Sequence, residues 1–235
     1  MKKEDYQKLE RIYKKFVLYA NHFCLEDTIL KSEINLFNKY IPNNIKSVVD
    51  VGCGYGRLFN YFLKRFSKIN IIGFERDKKT FDKLKSIFIM NNIKIFNKSF
   101  IEKSNVISFD VCLCLGNTYG AFLRKNDRIK FLKLVLSRLD KNNGLFILDY
   151  RTLKDALITE NVIDVFYQDD GGIILFEEDI NGKKLLGVQY YPNQNKLKEQ
   201  LKSIGYSVCN IIKVNDSRFP RNIIILKPNE KNEKN

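Results

Sequence analysis

The segment Val48-Val49-Asp50-Val51-Gly52-Cys53-Gly54-Tyr55-Gly56-Arg57 is the most informative part of the chain. An apolar, β-branched run ends at an acidic residue, and three glycines then follow at alternating positions. Residues 58–63 have the apolar spacing of a helix. We therefore predict a buried parallel strand, a glycine-rich turn and a helix. A ligand can lie against the turn, because glycine has no Cβ to keep it away from the main chain.

Two kinds of cofactor bind to such a turn. Dinucleotide-binding proteins carry Gly-x-Gly-x-x-Gly, whose third glycine packs the helix on the strand, but Arg57 stands at that position here. The pattern Asp50-x-Gly52-x-Gly54-x-Gly56 after a strand instead resembles the cofactor loop of the Rossmann-like (class I) methyltransferases that use S-adenosylmethionine. The resemblance implies that these four residues contact that cofactor. A glycine-rich turn without a ligand is the alternative.

An acidic residue follows the second strand-like run. Glu75 directly follows the run 69–74 and lies roughly 20 residues beyond the loop. A nucleotide-binding βαβ unit places an acid on the ribose hydroxyls at this distance. S-adenosylmethionine carries the same two hydroxyls, so Glu75 is the predicted ribose acid. The alternatives are a solvated carboxylate at a strand end and a ribose contact from Asp77.

The order of patterns predicts an α/β fold. Strand and helix patterns alternate from residue 48 to residue 149, with helices predicted over 56–66 and 78–91 among them, which is typical of a parallel sheet with right-handed crossovers. Three strand-like runs then follow within 162–191, and their Gly-rich and Asn-Gly junctions are hairpin signals. A helix at 194–203 and two closing strands complete the chain. This order resembles the seven-stranded methyltransferase sheet, whose last strand is antiparallel, with a β-meander inserted after strand 5.

We expect the chain to divide into a helical cap, a catalytic unit and a tail. These are an N-terminal helical cap at 1–44, a methyltransferase domain at 45–227 that includes the meander, and a disordered tail at 228–235. Amphipathic patterns in the cap predict two helices between residues 4 and 40. Tyr6, Tyr13 and Tyr19 are the cap residues that could cover the cleft.

Ligands of open α/β sheets lie at the carboxyl ends of the strands. After the third strand, Ser99 could make a polar contact to an adenine ring and Phe100 could supply an apolar face. The alternative for Phe100 is an ordinary place in the core. Asn117 follows the fourth strand, and Arg151 follows the fifth. A guanidinium there suits bidentate capture of a carboxylate, and a surface or structural ion pair is the alternative for Arg151.

The segments Leu115-Gly116-Asn117-Thr118 and Leu148-Asp149-Tyr150-Arg151 narrow the resemblance. They are similar to the L-G-N-S and D-H-R segments of glycine N-methyltransferase and its sarcosine-methylating relatives. The resemblance implies that Asn117 orients the substrate, that Arg151 holds its carboxylate, and that Leu115 offers its backbone to the methionine amine of the cofactor. It also assigns the adenine contact to Ser99-Phe100. The chain departs from those enzymes in having Tyr150 instead of His and Thr118 instead of Ser.

Composition favours a cytoplasmic enzyme. The 235 residues are 44% hydrophobic, enough for one sizeable domain, and no run approaches the roughly 18 apolar residues of a membrane span. Met1–Tyr6 has no apolar core of a secretion signal. The five cysteines lie in apolar runs and are expected to be reduced and packed. Two of them with the one histidine, His22, make a poor ligand set, so we expect no metal.

The formal net charge of +14 raises the question of a nucleic-acid partner. The excess lysine is spread along the whole chain, with no basic stripe, so nucleic acid stays possible as a partner but is not favoured. The sequence contains no Pro-Pro or Pro-Cys pair, features that are found in many base-modifying RNA methyltransferases.

We therefore predict methyl transfer from S-adenosylmethionine to a small molecule, at the nitrogen of a carboxylate-bearing amine. The alternatives are an O-methyltransferase of a small metabolite, an RNA methyltransferase, and a non-catalytic cofactor-binding subunit. Assembly into a homo-oligomer stays open.

Overall fold

The computed structural model describes residues 1–23, 29–102, 108–180, 182–215 and 220–229. The helices are α1 (Lys3–Phe23), α2 (Lys31–Tyr40), α3 (Phe59–Arg65), α4 (Lys78–Ile87), α5 (Lys125–Arg138), α6 (Leu153–Thr159) and α7 (Gln194–Ile204). The strands are β1 (Ser47–Val51), β2 (Asn70–Phe74), β3 (Ile93–Phe96), β4 (Val111–Cys114), β5 (Leu145–Tyr150), β6 (Asn161–Gln168), β7 (Gly171–Ile180), β8 (Lys183–Pro192), β9 (Tyr206–Val214) and β10 (Arg221–Pro228). Most of the predicted tail, residues 230–235, lies outside the described residues, as does Cys24.

Seven strands form one sheet in the order β3-β2-β1-β4-β5-β10-β9. β1 to β5 pair in parallel, and β10 runs antiparallel to both β5 and β9. Strand order reverses between β1 and β4, which places a crevice at the carboxyl ends of these two strands. The predicted α/β fold with a seven-stranded sheet and an antiparallel last strand is confirmed.

Both faces of this sheet are buried. On β1, Val49 and Val51 enter one apolar core, which also contains Phe131 of α5. Val48 enters a second core on the opposite face, together with Phe59 of α3. Successive side chains of a strand point to opposite faces, so a sheet covered on both sides needs continuous apolar strands. This explains why β1, β4 and β5 are apolar without alternation.

The inserted meander forms a second, three-stranded antiparallel sheet in the order β6-β7-β8. Helix α1 packs on it, and the ring of Phe16 meets that of Phe176 edge to face, with centroids 5.4 Å apart. Arg128 of α5 joins the meander to the main domain. Its buried guanidinium donates to the Asp170 carboxylate at 3.0 Å and lies 3.4 Å from the centroid of the Tyr190 ring. The meander is therefore held from two sides.

Two predicted helix ranges were wrong, and one helix was not predicted. A helix was predicted over 56–66 but begins at Phe59, because Gly56 has a φ of +75°, outside the helical region. The helix predicted over 78–91 ends at Ile87, and the ring of Phe88 then packs on that of Phe59 at 5.1 Å. Helix α6 was not predicted at all.

Three of the four cysteines in the described ranges are buried thiols, whereas Cys209 is exposed, contrary to expectation. None of the helices in those ranges combines the length and the apolarity needed to cross a membrane.

Candidate functional site

The glycine loop after β1 has positive φ at all three glycines, +73° at Gly52, +54° at Gly54 and +75° at Gly56. A Cβ at Gly52 would lie 2.4 Å from Oγ1 of Thr118, and one at Gly56 would lie 2.6 Å from Cδ1 of Leu84. A Cβ at Gly54 would meet no described atom within 4 Å. The loop thus packs on its neighbours through Gly52 and Gly56, while Gly54 faces the space that a ligand can enter.

Glu75, directly after β2, is bonded to this loop. Its Oε2 accepts a hydrogen bond from the N–H of Gly54 at 3.0 Å, and its Oε1 accepts one from the N–H of Asp77 at 2.7 Å. The side chain is buried, and burial raises the pKa of Glu75 despite these two bonds. The predicted ribose acid and the predicted cofactor loop are therefore one unit.

Asp50 lies next to the last residue of β1 and is buried, with 4% of its surface exposed. No donor among the described residues forms a hydrogen bond with its carboxylate. Burial raises the pKa of Asp50 to about 7, against the nearby positive charge of Arg57, and the charges of Glu33 and Glu75 add to the rise. A buried carboxylate without a hydrogen-bond donor is costly unless a cation or donor reaches it, so Asp50 fits a ligand that brings a positive charge.

The two residues predicted at an adenine ring lie close to the core. The ring of Phe100 contacts Phe74 edge to face at 5.1 Å and Phe131 at 5.9 Å. Phe100 is therefore a core residue, the second of its two alternatives, and does not offer a free face. Ser99 is also buried, and its N–H donates to the carboxylate of Glu102 at 3.2 Å.

The loop after β4 carries the one left-handed non-glycine residue of the described chain, Asn117, with φ +57°. A Cβ at Gly116 would have no described neighbour within 4 Å, so this loop also borders open space. The carbonyl of Leu115, predicted at the methionine amine, accepts a bond from Oγ1 of Thr118 at 2.8 Å. Asparagine is one of the few non-glycine residues that adopt left-handed backbone readily, and hydrogen bonds from this loop hold Asn117 in place.

Asp149 at the end of β5 holds it. Its two carboxylate oxygens accept hydrogen bonds from the N–H groups of Gly116 and Asn117, both at 2.8 Å. Arg221 of β10 donates to the same carboxylate at 2.7 Å. Asp149 is fully buried, so its charge requires this cation.

The ion pair extends into the helical cap. Arg221 also donates to the carboxylate of Glu33 on α2 at 2.7 Å, and Arg57 of the glycine loop donates to both oxygens of Glu33 at 2.6 and 2.8 Å. Burial alone would raise the pKa of Glu33, but its bonds and charge interactions with Arg57 and Arg221 hold it below its usual value. One buried network thus joins the cap, the glycine loop and the loop of Asn117.

Arg151 is paired within the protein. Its guanidinium donates to the carboxylate of Glu160 and to the hydroxyl of Thr159, and all but 5% of the residue is buried. The alternative of a structural ion pair therefore describes the arrangement. A substrate carboxylate can reach Arg151 only if Glu160 moves away.

A chain of polar side chains joins the two predicted substrate residues. Nδ2 of Asn117 donates to Oε1 of Gln189 at 2.7 Å, and the hydroxyl of Tyr191 donates to the same oxygen at 3.1 Å. Tyr191 also lies 3.4 Å from Oε1 of Glu160, the partner of Arg151. Because Gln189 and Tyr191 belong to β8, the meander forms one wall of the site.

Among the tyrosines of the cap, Tyr13 lies near the charged residues that follow β2. Burial raises the pKa of Tyr13 to about 12, and the charges that act on it include those of Arg76 and Glu75 at the end of β2. Tyr6 instead bonds to Gln168 through its hydroxyl at 3.0 Å. The side chains of Tyr19 and His22 lie outside the described part of the chain.

The residues that support the site differ in how clearly the sequence marks them. Glu33 occupies the apolar stripe of α2, between Leu30 and Phe37, and a charge in such a stripe is a signal for a buried partner. Gln189 and Glu160 carried no such signal, because their partners lie 72 and nine residues away in the chain. Within the described ranges, no group of three or more His, Cys, Asp or Glu side chains is arranged to hold a metal ion.

No protein-family model and no curated protein sequence matches the chain. Solved structures do match. An S-adenosylmethionine-dependent methyltransferase from Clostridium acetobutylicum ATCC 824 superposes with a TM-score of 0.67 at 15% identity, over 92% of this chain and 98% of that one. The glycopeptide N-methyltransferase MtfA in complex with S-adenosyl-L-methionine gives 0.63 at 12% identity, over 84% of this chain and 93% of that one.

A third structure covers nearly the whole chain. The 1,6-didemethyltoxoflavin-N1-methyltransferase of Burkholderia thailandensis, with bound S-adenosylhomocysteine, matches 98% of this chain and 92% of its own, at a TM-score of 0.59 and 11% identity. At such identities the likeness concerns the fold. The chain therefore has the fold of S-adenosylmethionine-dependent methyltransferases.

Proposed function

We propose that the chain transfers a methyl group from S-adenosylmethionine to a nitrogen atom of a small molecule. The observation that carries the proposal is the unit formed by the glycine loop, Glu75 and Asp50. It lies at the carboxyl ends of β1 and β2, where sheets of this kind bind ligands. Three solved relatives of the fold are methyltransferases by name, and two of them hold S-adenosylmethionine or S-adenosylhomocysteine.

The residues present fit this cofactor. Glu75 uses two of the roughly four acceptor positions of its carboxylate on backbone N–H groups, which leaves room for ribose hydroxyls. Asp50 is a buried carboxylate suited to the ammonium of the methionine part. Gly54 and Gly116 border open space on two sides of the crevice. When bound, the cofactor supplies a methyl group activated by a sulfonium.

The chain's own part is to bind and orient the acceptor. Positioning of this kind can lower the activation free energy by about 7–11 kcal/mol. Of the described carboxylates beside Asn117, Asp149 is paired with Arg221 and Glu160 with Arg151. Neither is free to act as a base, which favours an acceptor that arrives with a lone pair, such as a neutral amine. MtfA and the 1,6-didemethyltoxoflavin-N1-methyltransferase are both named as N-methyltransferases.

A carboxylate on the acceptor is the finer form of the proposal. It rests on the position of Arg151 after β5, and it requires that Glu160 yield its place to the acceptor. The structure thus supports the nitrogen more directly than it supports the carboxylate.

The test is methyl transfer from labelled S-adenosylmethionine to separate pools of amines, amino acids, amides, phenols, sugars and bulk RNA. We expect turnover with a nitrogen-bearing small molecule. Turnover of phenols or sugars alone would move the assignment to an O-methyltransferase, and turnover of RNA alone would move it to nucleic acid. Cofactor binding without turnover of any pool would favour a non-catalytic subunit.

A further inference from the structure

The side-chain amides of Asn117 and Gln189 form a bonded pair at the acceptor side of the crevice. Nδ2 of Asn117 donates to Oε1 of Gln189 at 2.7 Å, across 72 residues of sequence. The contact is close on the backbone side as well, since a Cβ at Gly120 would lie 3.0 Å from the carbonyl oxygen of Tyr190. The pair therefore joins the loop after β4 to β8.

The pair of Asn117 and Gln189 has hydrogen-bond donors and acceptors that no described residue uses. An amide oxygen has two lone pairs, and Oε1 of Gln189 uses both of them, on Asn117 and on the hydroxyl of Tyr191 at 3.1 Å. Within the described ranges, Nε2 of Gln189 and Oδ1 of Asn117 have no hydrogen-bond partner. The pair thus presents two donor hydrogens next to one acceptor oxygen.

The backbone at Asn117 supports a functional role. A left-handed conformation at a non-glycine residue is strained and persists only where the surroundings enforce it. Asp149 enforces it through the N–H groups of Gly116 and Asn117. The fold therefore fixes the position of this one amide.

The charges around the pair are compensated. Asp149 is paired with Arg221 at 2.7 Å, and Arg151 is paired with Glu160. A charged group placed against the two amides would find no opposite charge without breaking one of these pairs, which are buried, so an acceptor carboxylate would belong at Arg151 and not at the amide pair. A neutral polar group meets no such cost.

We propose that the pair of Asn117 and Gln189 recognises a neutral group of the acceptor with a hydrogen-bond donor beside an acceptor, such as a carboxamide, a lactam or the amide edge of a heterocycle. Gln189, supplied by the meander, is then a specificity-determining residue. This inference rests on the proposed function, because it assigns the acceptor class of the same crevice.

The test needs no known substrate. The ¹⁵N-labelled protein is saturated with S-adenosylhomocysteine and titrated with 2-pyridone, acetamide and benzamide, and with acetate and benzoate as charged counterparts. The NMR signals of the two side-chain amides report binding. We expect saturable shifts with at least one neutral probe, and a loss of about tenfold in its affinity in Gln189→Met, as for one lost hydrogen bond. Gln189→Glu keeps the size of the side chain but removes its donor hydrogens, so it should lose affinity for the probe by a similar factor.

The matched control is Lys184→Gln on the same strand, whose side chain is 72% exposed and pairs with Glu177. It should bind the probe as wild type does, and all variants should keep the wild-type affinity for S-adenosylhomocysteine. Tighter binding of acetate or benzoate than of the neutral probes would overturn the inference, as would equal binding by Gln189→Met or no shift with any neutral probe. If the wild type fails to bind S-adenosylhomocysteine at all, it is the proposed function that fails.

Discussion

The N–H of Gly54 donates a hydrogen bond to the carboxylate of Glu75 at 3.0 Å, although 21 residues separate them in the chain. The acid that is placed for the ribose therefore also sets the shape of the loop that faces the rest of the cofactor. A change at either residue is expected to affect both contacts.

Replacing Glu75 should weaken the cofactor without unfolding the chain. A hydrogen bond to a charged group contributes roughly 1.5–3 kcal/mol, so Glu75→Ala should raise the Kd of S-adenosylhomocysteine by about 10- to 150-fold. Glu75→Gln keeps an acceptor for the ribose, so its Kd should rise less than that of Glu75→Ala. Titration calorimetry on both variants measures this. A change in Glu75→Ala below about twofold would assign the ribose to another residue, with Asp77 as the first candidate.

Gly54 and Gly56 should respond differently to the same substitution. Gly56→Val places carbon atoms against Leu84 and Phe88 in the core, where overpacking costs typically about 1–3 kcal/mol in addition to the positive φ. Gly54→Val faces open space, so its cost is the strain of a β-branched residue at positive φ, roughly 1–3 kcal/mol, but it should abolish cofactor binding. Thermal unfolding and calorimetry separate the two effects. Wild-type cofactor affinity in folded Gly54→Val would contradict the assignment of the loop.

Asp50 should make both stability and cofactor affinity depend on pH. Its pKa in the folded chain is about 7, raised by burial above the ordinary value of 3.8. The folded state therefore keeps a proton that the unfolded state has lost, and the ligand-free protein should lose stability as pH rises from about 4 to about 7. Glu75, whose pKa is also raised, contributes with the same sign.

Cofactor affinity should change in the opposite direction, because an ammonium prefers the ionised carboxylate. It should rise with pH through about 7, and Asp50→Asn should remove most of this dependence while it stabilises the ligand-free chain near pH 8. Urea unfolding and calorimetry at pH 5.5 and 8 give both quantities. The same pH dependence in wild type and Asp50→Asn would show that another group titrates.

Glu33 should be the most sensitive residue of the helical cap. Its removal in Glu33→Ala leaves Arg57 and Arg221 without their shared carboxylate, and breaking a buried pair costs about 3–5 kcal/mol. Lys184→Ala, which breaks an exposed pair, should cost less than about 1 kcal/mol. Urea unfolding compares them. Equal costs would mean that the network around Glu33 is not a stabilising element.

RNA should bind weakly and without sequence preference if the +14 charge is spread over the surface. Such binding falls steeply with salt, because it depends on counterion release. Filter binding of several unrelated RNAs at two salt concentrations checks this. Tight binding of one RNA that survives at high salt would favour the RNA methyltransferase alternative.

The layout of the fold could be predicted because its signals are local. The apolar runs of β1, β4 and β5 and the glycine junctions of the meander each define an element within about ten residues. Helix α6 was missed although Thr152 caps it by accepting a bond from the N–H of Asp155 at 3.1 Å. A seven-residue helix has too short an apolar stripe to be noticed.

The site was predictable only in part. Asp50 and Gly54 follow from their places at the end of a strand and in the loop after it, since the carboxyl end of a parallel strand borders the crevice. The pairing of Arg151 with Glu160 depends on how α6 folds back from the end of β5, and the pairing of Asn117 with Gln189 depends on how β8 meets the loop after β4. No local pattern contains that information, so the substrate side had to be derived from the structure.

The most direct test of the account is a calorimetric titration of the purified wild-type chain with S-adenosylmethionine and, separately, with S-adenosylhomocysteine. We expect saturable binding of S-adenosylmethionine and of S-adenosylhomocysteine at one site per chain, with each ligand displacing the other. A folded chain that binds neither ligand would contradict the assignment of the crevice at Gly54, Glu75 and Asp50, and with it the proposed methyl transfer.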